Sequence, residues 1–138
     1  MYKLYTDAAT LNHGDIKNDQ SAGGILILNN GHQLQMKVPL RDAHDNHTAE
    51  FTTCIAGLRA LIEQIPAAKL SHTIVFYYTD SKILADSLDK QYAKHYQPFV
   101  DSILALEAKF QLVMNQWIPE AQNMGAHELA QQALHQFR

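Results

Sequence analysis

The sequence predicts an α/β fold: a mixed five-stranded sheet, three strands antiparallel and two parallel, flanked by helices. Three observations carry this. Three β-rich segments open the chain, and a hairpin signal joins two of them. The apolar period then switches from two to that of a helix near residue 47. Two more apolar β-runs follow, each beside helical stretches, so strands and helices alternate to the end. Strands gathered first and then alternating with helices favour a mixed sheet with helices packed on it.

Each element follows from its own pattern. Residues 2–8 (YKLYTDA) are rich in β-formers and end at an acid. The polar stretch 9–21, with Asn12, Gly14, Asp15, Asn18 and Asp19, predicts a turn-rich loop. Residues 22–29 (AGGILILN) form a short apolar strand, and Asn30-Gly31 is a strong two-residue hairpin turn. Segment 32–39 alternates, with Leu34, Met36 and Val38 on one face. Between 47 and 65, Phe51, Cys54, Ile55, Leu58, Leu61, Ile62 and Ile65 recur at helical spacing, and Pro66 closes the helix. The run 73–79 (TIVFYYT) predicts a central strand covered on both faces. Helices follow over 81–90 and 98–110, the second built on Phe99, Ile103, Leu106 and Phe110. A last strand spans 111–118 and stops at Pro119. The final helix, 124–137, repeats Ala126, Leu129, Ala130, Ala133, Leu134 and Phe137.

Composition narrows the class. A length of 138 residues with 46% hydrophobic and 18% charged residues suits one ordinary globular domain. The longest apolar runs, such as Gly23 to Leu28, are too short to span a bilayer, and no secretory leader pattern opens the chain. A cytoplasmic monomer is the expectation. The single cysteine, Cys54, lies among apolar residues and is read as a buried core thiol. A net charge of -3 does not announce a nucleic-acid binder, so any such contact needs a local basic patch or help from metal ions.

The chemistry lies in the acids. Two strand-like runs close on the same tripeptide, Tyr5-Thr6-Asp7 and Tyr78-Thr79-Asp80. If those strands are parallel neighbours, both aspartates emerge at one sheet edge, where open α/β sheets bind ligands. The plain alternative for Asp80 is an N-cap of the helix that begins at Ser81. Glu50 falls in the first turn of its helix, on the edge of the apolar stripe, where the helix dipole alone also favours it. Three converging carboxylates repel one another unless a cation lies between them, and hard oxygen ligands suit Mg²⁺ or Mn²⁺.

The stretches YTDAAT (5–10), NHTAEFTTCIAGLRAL (46–61), YYTDSKIL (77–84) and WIPEAQNMGAHELAQQAL (117–134), in this order and spacing, resemble type 1 ribonucleases H. The resemblance covers nearly the whole chain. It is to the compact microbial form, without the basic protrusion and without an N-terminal hybrid-binding module. It implies the RNase H-like fold and cleavage of the RNA strand of an RNA–DNA hybrid by two metal ions, leaving 5′-phosphate and 3′-hydroxyl ends. Asp7, Glu50 and Asp80 match the first three family carboxylates. Asp7 would bridge two ions about 4 Å apart.

The sequence departs from the family at the fourth ligand, where His127 stands in place of an aspartate. Glu128 lies nearly opposite the apolar stripe of that helix, and only His127 borders the packed face. Imidazole is a poor ligand for Mg²⁺ but a fair one for Mn²⁺, so metal dependence is expected to be altered or activity weakened. A helix-surface histidine without a role is the alternative. Asp45-Asn46-His47 replaces Thr-Asn-Asn: only Asn46 matches a residue expected near the minor groove, and Asp45 would repel phosphate. The glycine-rich loop of the family becomes Leu11-Asn12-His13-Gly14-Asp15. Glu120, aligned through Pro119 and Asn123, is a candidate for assisting product release.

Ser81, Lys82, Lys90 and Lys94, with Tyr92, His95 and Tyr96, form a candidate substrate surface, although a solvated helix end explains the basic cluster equally well. His13, His32, His44, His72 and His135 show no zinc-type spacing and read as surface residues. A catalytically weakened or inactive nucleic-acid-binding protein is the rival reading, and a nuclease for single strands a third.

Overall fold

The structure is a computed structural model that describes residues 1–11 and 20–137. Strands β1 (Tyr2–Leu11), β2 (Gln20–Asn29) and β3 (His32–Leu40) come first, then helix α1 (Asn46–Gln64). They are followed by β4 (Ile74–Thr79), α2 (Lys82–Lys90), α3 (Gln97–Glu107), β5 (Leu112–Trp117) and α4 (Met124–Phe137). Short 3-10 turns lie at Ala67–His72 and Glu120–Gln122. No helix among the described residues is long and apolar enough to cross a membrane.

The five strands lie in the order β3-β2-β1-β4-β5. β1, β2 and β3 are antiparallel, whereas β1 with β4 and β4 with β5 are parallel. The β2–β3 turn is Asn30-Gly31, with φ of 50° and 81°. Positive φ at both central residues is what a type I′ turn requires, and asparagine and glycine supply it at least cost.

β1 and β2 reach further than composition suggests. The stretch expected as a loop over 9–21 keeps β-pairing at Ala9↔Ala22, Thr10↔Ser21 and Leu11↔Gln20. Thr10 and Ser21 hydroxyls also bond at 2.8 Å, so polar side chains stabilise this end of the ladder. Asn12, His13, Gly14 and Asp15 of the remodelled loop lie outside the described residues.

Adjacent glycines of β2 show how the layers stack. A side chain at Gly23 would strike Thr53 of α1, and one at Gly24 would strike the backbone of α4 at Ala126 and Ala130. α1 and α4 therefore press on opposite faces of the sheet. On the α1 side, Leu4, Ile25, Phe51, Leu58, Leu61, Val75 and Tyr77 make the main core with residues of α2 and α3. On the α4 side the packing is of small residues, Ala9, Ala22, Ala130 and Ala133, closed by Leu134.

β4, α3 and α1 also differ from expectation. β4 is not covered on both faces: Val75, Tyr77 and Thr79 are buried, but Ile74, Phe76 and Tyr78 are half-buried because α4 packs mainly on β1, β2 and β3. α3 ends at Glu107, and Phe110 enters the core from the following turn rather than from the helix. Without glycine or proline between 107 and 110, periodicity has no mark for that end. α1 starts one residue early, capped by the Asp45 carboxylate, which accepts from Thr48 N at 3.1 Å. Cys54 is fully buried, and burial pushes its thiol up, out of the reactive range.

Candidate metal centre and its groove

The parallel register Tyr5↔Tyr78 sets Asp7 and Asp80 side by side, two residues further along each strand. Asp7 is still in the ladder, opposite Gly24, while Asp80 lies one residue past the end of β4. The N-cap of α2 is not Asp80 but Ser81, whose hydroxyl accepts from Leu84 N at 3.3 Å. The capping explanation of Asp80 therefore fails. Glu50 is the fifth residue of α1, and the first turn holds no acid. The expectation of a first-turn glutamate is corrected, and the helix dipole explains less of its presence.

One oxygen from each of Asp7, Glu50 and Asp80 lies within 4.8 Å of the others, the sole such cluster of possible metal ligands among the described residues. Asp7 and Glu50 are each 4% exposed. Burial, then the charges of Asp7 and Asp80, push the Glu50 carboxyl up to about 10. Burial and Asp7 push Asp80 up to about 6, against the hydrogen bond from Asn123. Glu50 Oε2 is buried without a hydrogen-bond partner. Buried, mutually repelling carboxylates with an orphaned acceptor fit a divalent cation, since a hard metal would satisfy the oxygens and offset their charge.

His127, in the first turn of α4, faces this cluster. Its Nδ1 lies 2.9 Å from Asp7 Oδ2 and 3.5 Å from Glu120 Oε1. His127 is thus engaged with Asp7 rather than grouped with the three oxygens. Glu128 is exposed, and Glu120 extends from its 3-10 turn with its side chain 66% exposed.

Two contributors escape a reading by residue type. Asn123 is 1% exposed and its Nδ2 donates to Thr6 O at 2.9 Å and to Asp80 Oδ2 at 3.4 Å. Trp117 donates its indole N–H to the Asp80 carbonyl at 3.1 Å. Both partners are remote in sequence, so only the assembled fold reveals them; Asn123 lying one helical turn before His127 was the available hint.

A groove of about 760 Å³ runs from Glu50 and Asp80 along α2 and collects Asn46, Ser81, Lys82, Lys90 and Lys94 with Tyr92. His95 and Tyr96 do not line it. Tyr96 instead stacks on Phe51 at 4.9 Å and packs against the core. Lys82 pairs with Asp86 at 3.6 Å, a contact of two exposed side chains worth little by itself. Partial burial raises the Asp45 carboxyl, but hydrogen bonds from Thr48 and the nearby His47 hold it below its usual range. Of the histidines expected at the surface, His32, His72 and His135 are exposed, His44 is half-buried, and His13 lies outside the described residues.

Comparison with known proteins places this geometry. The family described as reverse transcriptase-like matches residues 7–133, from the first aspartate past His127. EbsB of Enterococcus faecalis, whose name assigns it provisionally to the hydrolases, is 37% identical over 139 residues. That match covers 99% of this chain and 96% of EbsB. RNase H1 of the halophilic archaeon Halobacterium salinarum NRC-1 superposes with a TM-score of 0.82 at 19% identity, covering 98% of both chains. LC11-RNase H1, isolated from compost by a metagenomic approach and solved with an RNA/DNA hybrid, gives 0.77 at 17% identity. There 99% of this chain and 98% of the other are covered. The architecture is the RNase H-like fold.

Proposed function

Because the chain belongs to the reverse transcriptase-like family, we propose that it is a metal-dependent endonuclease that cuts the RNA strand of RNA–DNA hybrids. The observation that carries this reading is the convergence of Asp7, Glu50 and Asp80 within 4.8 Å around an orphaned buried oxygen. Asp7, Glu50 and Asp80 would together hold the ions. Two bound Mg²⁺ or Mn²⁺ ions would activate water and stabilise the leaving 3′ oxygen, giving 5′-phosphate and 3′-hydroxyl products.

The chain itself supplies position and charge. Asn123 steadies Asp80 from the α4 side, and His127 holds Asp7 Oδ2. Lys82, Lys90 and Lys94 line the groove where a nucleic-acid backbone would run, and Asn46 and Ser81 face the same space. Discrimination of RNA from DNA rests on 2′-hydroxyl contacts in the wide minor groove of the hybrid. Glu120, exposed and 3.5 Å from His127, is our candidate for assisting product release. We read the protein as a cytoplasmic single-domain monomer.

The His127–Asp7 contact favours a second reading. An imidazole bound to Asp7 competes with a cation for that oxygen, which suits a weakened or inactive nucleic-acid-binding relative. A single assay separates the two: labelled RNA–DNA hybrid, double-stranded RNA and single strands are incubated in Mg²⁺ and in Mn²⁺. Hybrid-specific cleavage abolished by Asp7→Asn supports the nuclease. Binding without cleavage in both metals supports the second reading, and cleavage of single strands alone points to a different substrate.

A further inference from the structure

We propose that Trp117 is a positioning residue for the metal centre: its indole N–H fixes the main chain at Asp80, so that metal occupancy and the groove cation Lys82 are coupled through one ring. The inference rests on the metal-site reading above and assigns Trp117 no contact with the ions or the substrate.

The last paired residues of β4 and β5 are Thr79 and Trp117, and Ile118 N closes the ladder on Thr79 O at 2.8 Å. Asp80 lies one residue beyond, outside the sheet and ahead of α2. Nothing in the ladder orients its peptide. Side chains do so instead: Thr79 Oγ1 accepts from Ser81 N at 3.1 Å, and Trp117 Nε1 donates to Asp80 O at 3.1 Å. The direct hold on the carboxylate is weaker, since the Asn123 bond to Oδ2 is long at 3.4 Å. The direction of the Asp80 side chain therefore depends largely on its backbone, and the backbone carbonyl depends on the indole.

Burial does not account for Trp117 at this place, because the side chain remains 46% exposed. Its second polar neighbour is Lys82, whose Nζ sits 5.5 Å from the ring centroid, within cation–π range. One rigid ring thus touches the peptide of a metal-site carboxylate on its edge and a groove lysine on its face. Coupling between two sites is reciprocal. A cation drawn to Asp80 would register at the indole, and the indole bond would strengthen the hold on the cation.

The test uses the fact that the chain has one tryptophan, and so one indole N–H resonance. In ¹⁵N-labelled wild type titrated with Mg²⁺, that resonance is expected to move along the same saturation curve as the Asp80 amide, and to stay still in Asp7→Asn. Trp117→Phe keeps a ring for Lys82 but removes the donor. Calorimetric Mg²⁺ affinity is expected to fall by about 2- to 10-fold, the value of one hydrogen bond. The melting temperature without metal is expected to change little.

Unchanged affinity in Trp117→Phe, or an indole resonance that stays put while the Asp80 amide moves, overturns the inference and leaves the metal centre intact. If wild type binds no Mg²⁺ or Mn²⁺, the metal-centre reading falls with it. Should the phenylalanine variant fold poorly, the wild-type resonance decides alone.

Discussion

Glu50 is the residue on which the cluster's charge balance turns. Its carboxyl is pushed up from an ordinary 4.5 to about 10 by burial and by its acidic neighbours. In the absence of metal, the folded protein therefore keeps a proton that the unfolded chain releases. Stability from this group is complete below pH 4.5 and is lost as pH rises toward 10. Glu50→Gln removes that dependence. Metal-free protein at pH 8 is expected to gain at least about 1 kcal/mol by urea denaturation. If the proposed site takes Mg²⁺, wild type should gain stability from it and the same variant should not. A metal-free Glu50→Gln protein less stable than wild type at pH 8 would contradict the assignment.

Asp45 offers a second test at this scale. It caps α1, so Asp45→Ala should destabilise by about 1 kcal/mol. Because Asp45 directly precedes the groove residue Asn46 in the chain, the same change should tighten binding to hybrid, opposite in sign to its effect on folding. Asp7 and Asp80 were legible in the sequence because strand ends carry a period and a punctuation. Glu50 was legible because it borders a helical stripe. Asn123 and Trp117 were not, since their value lies in single hydrogen bonds to residues brought near only by the sheet order.

Among the elements, α4 is the one whose seating decides the site. It carries His127 to Asp7, and it approaches so closely that a Cβ at Gly24 would meet Ala130 N at 2.6 Å and Leu129 Cβ at 2.8 Å. Backbone cannot yield as a side-chain tip can. Gly24→Ala should therefore lift α4, cost about 2–3 kcal/mol and move His127 from Asp7. Denaturant melts and the His127 imidazole chemical shifts would show both effects; loss of stability with unmoved imidazole signals would mean that β2 yields instead. The order of elements was readable from period changes. The continuation of β1 and β2 was not, because Thr10, Gln20 and Ser21 of that ladder adjoin a polar, turn-rich run that composition reads as loop.

The joint of α3 and β5 holds a half-buried acid outside the site. Glu107 accepts from Asn115 Nδ2 at 3.0 Å, and its other oxygen is buried without a partner. Burial pushes its carboxyl up to about 7. Folding therefore favours the protonated acid, and its contribution is lost between pH 4.5 and pH 7. Glu107→Gln keeps the acceptor for Asn115 and removes the charge. Its melting temperature should exceed that of wild type at pH 8 and match it near pH 4. Equal melting temperatures at pH 8 would show that the joint tolerates the carboxylate.

Over the whole molecule, a net charge of -3 has to be set beside the polyanionic substrate proposed for it. Lys82, Lys90 and Lys94 share one groove leading from the carboxylates, with Asp86 beside Lys82. If these three make the phosphate contacts, hybrid binding measured without divalent metal should be weakly salt-dependent. The slope of log K against log salt should be about -3 or shallower, from roughly -0.9 for each phosphate neutralised on B-form duplex. Replacing Lys90 or Lys94 by alanine should each reduce that slope by about 1 and weaken binding by a similar factor on any sequence. Lys82→Ala should do less, because its ammonium is already shared between Asp86 and the Trp117 ring. Fluorescence anisotropy with a labelled hybrid from 25 to about 200 mM salt would measure all of these slopes. A wild-type slope near -6 would require a second basic surface, and equal losses from all three lysines would show that the substrate displaces Lys82 from its partners.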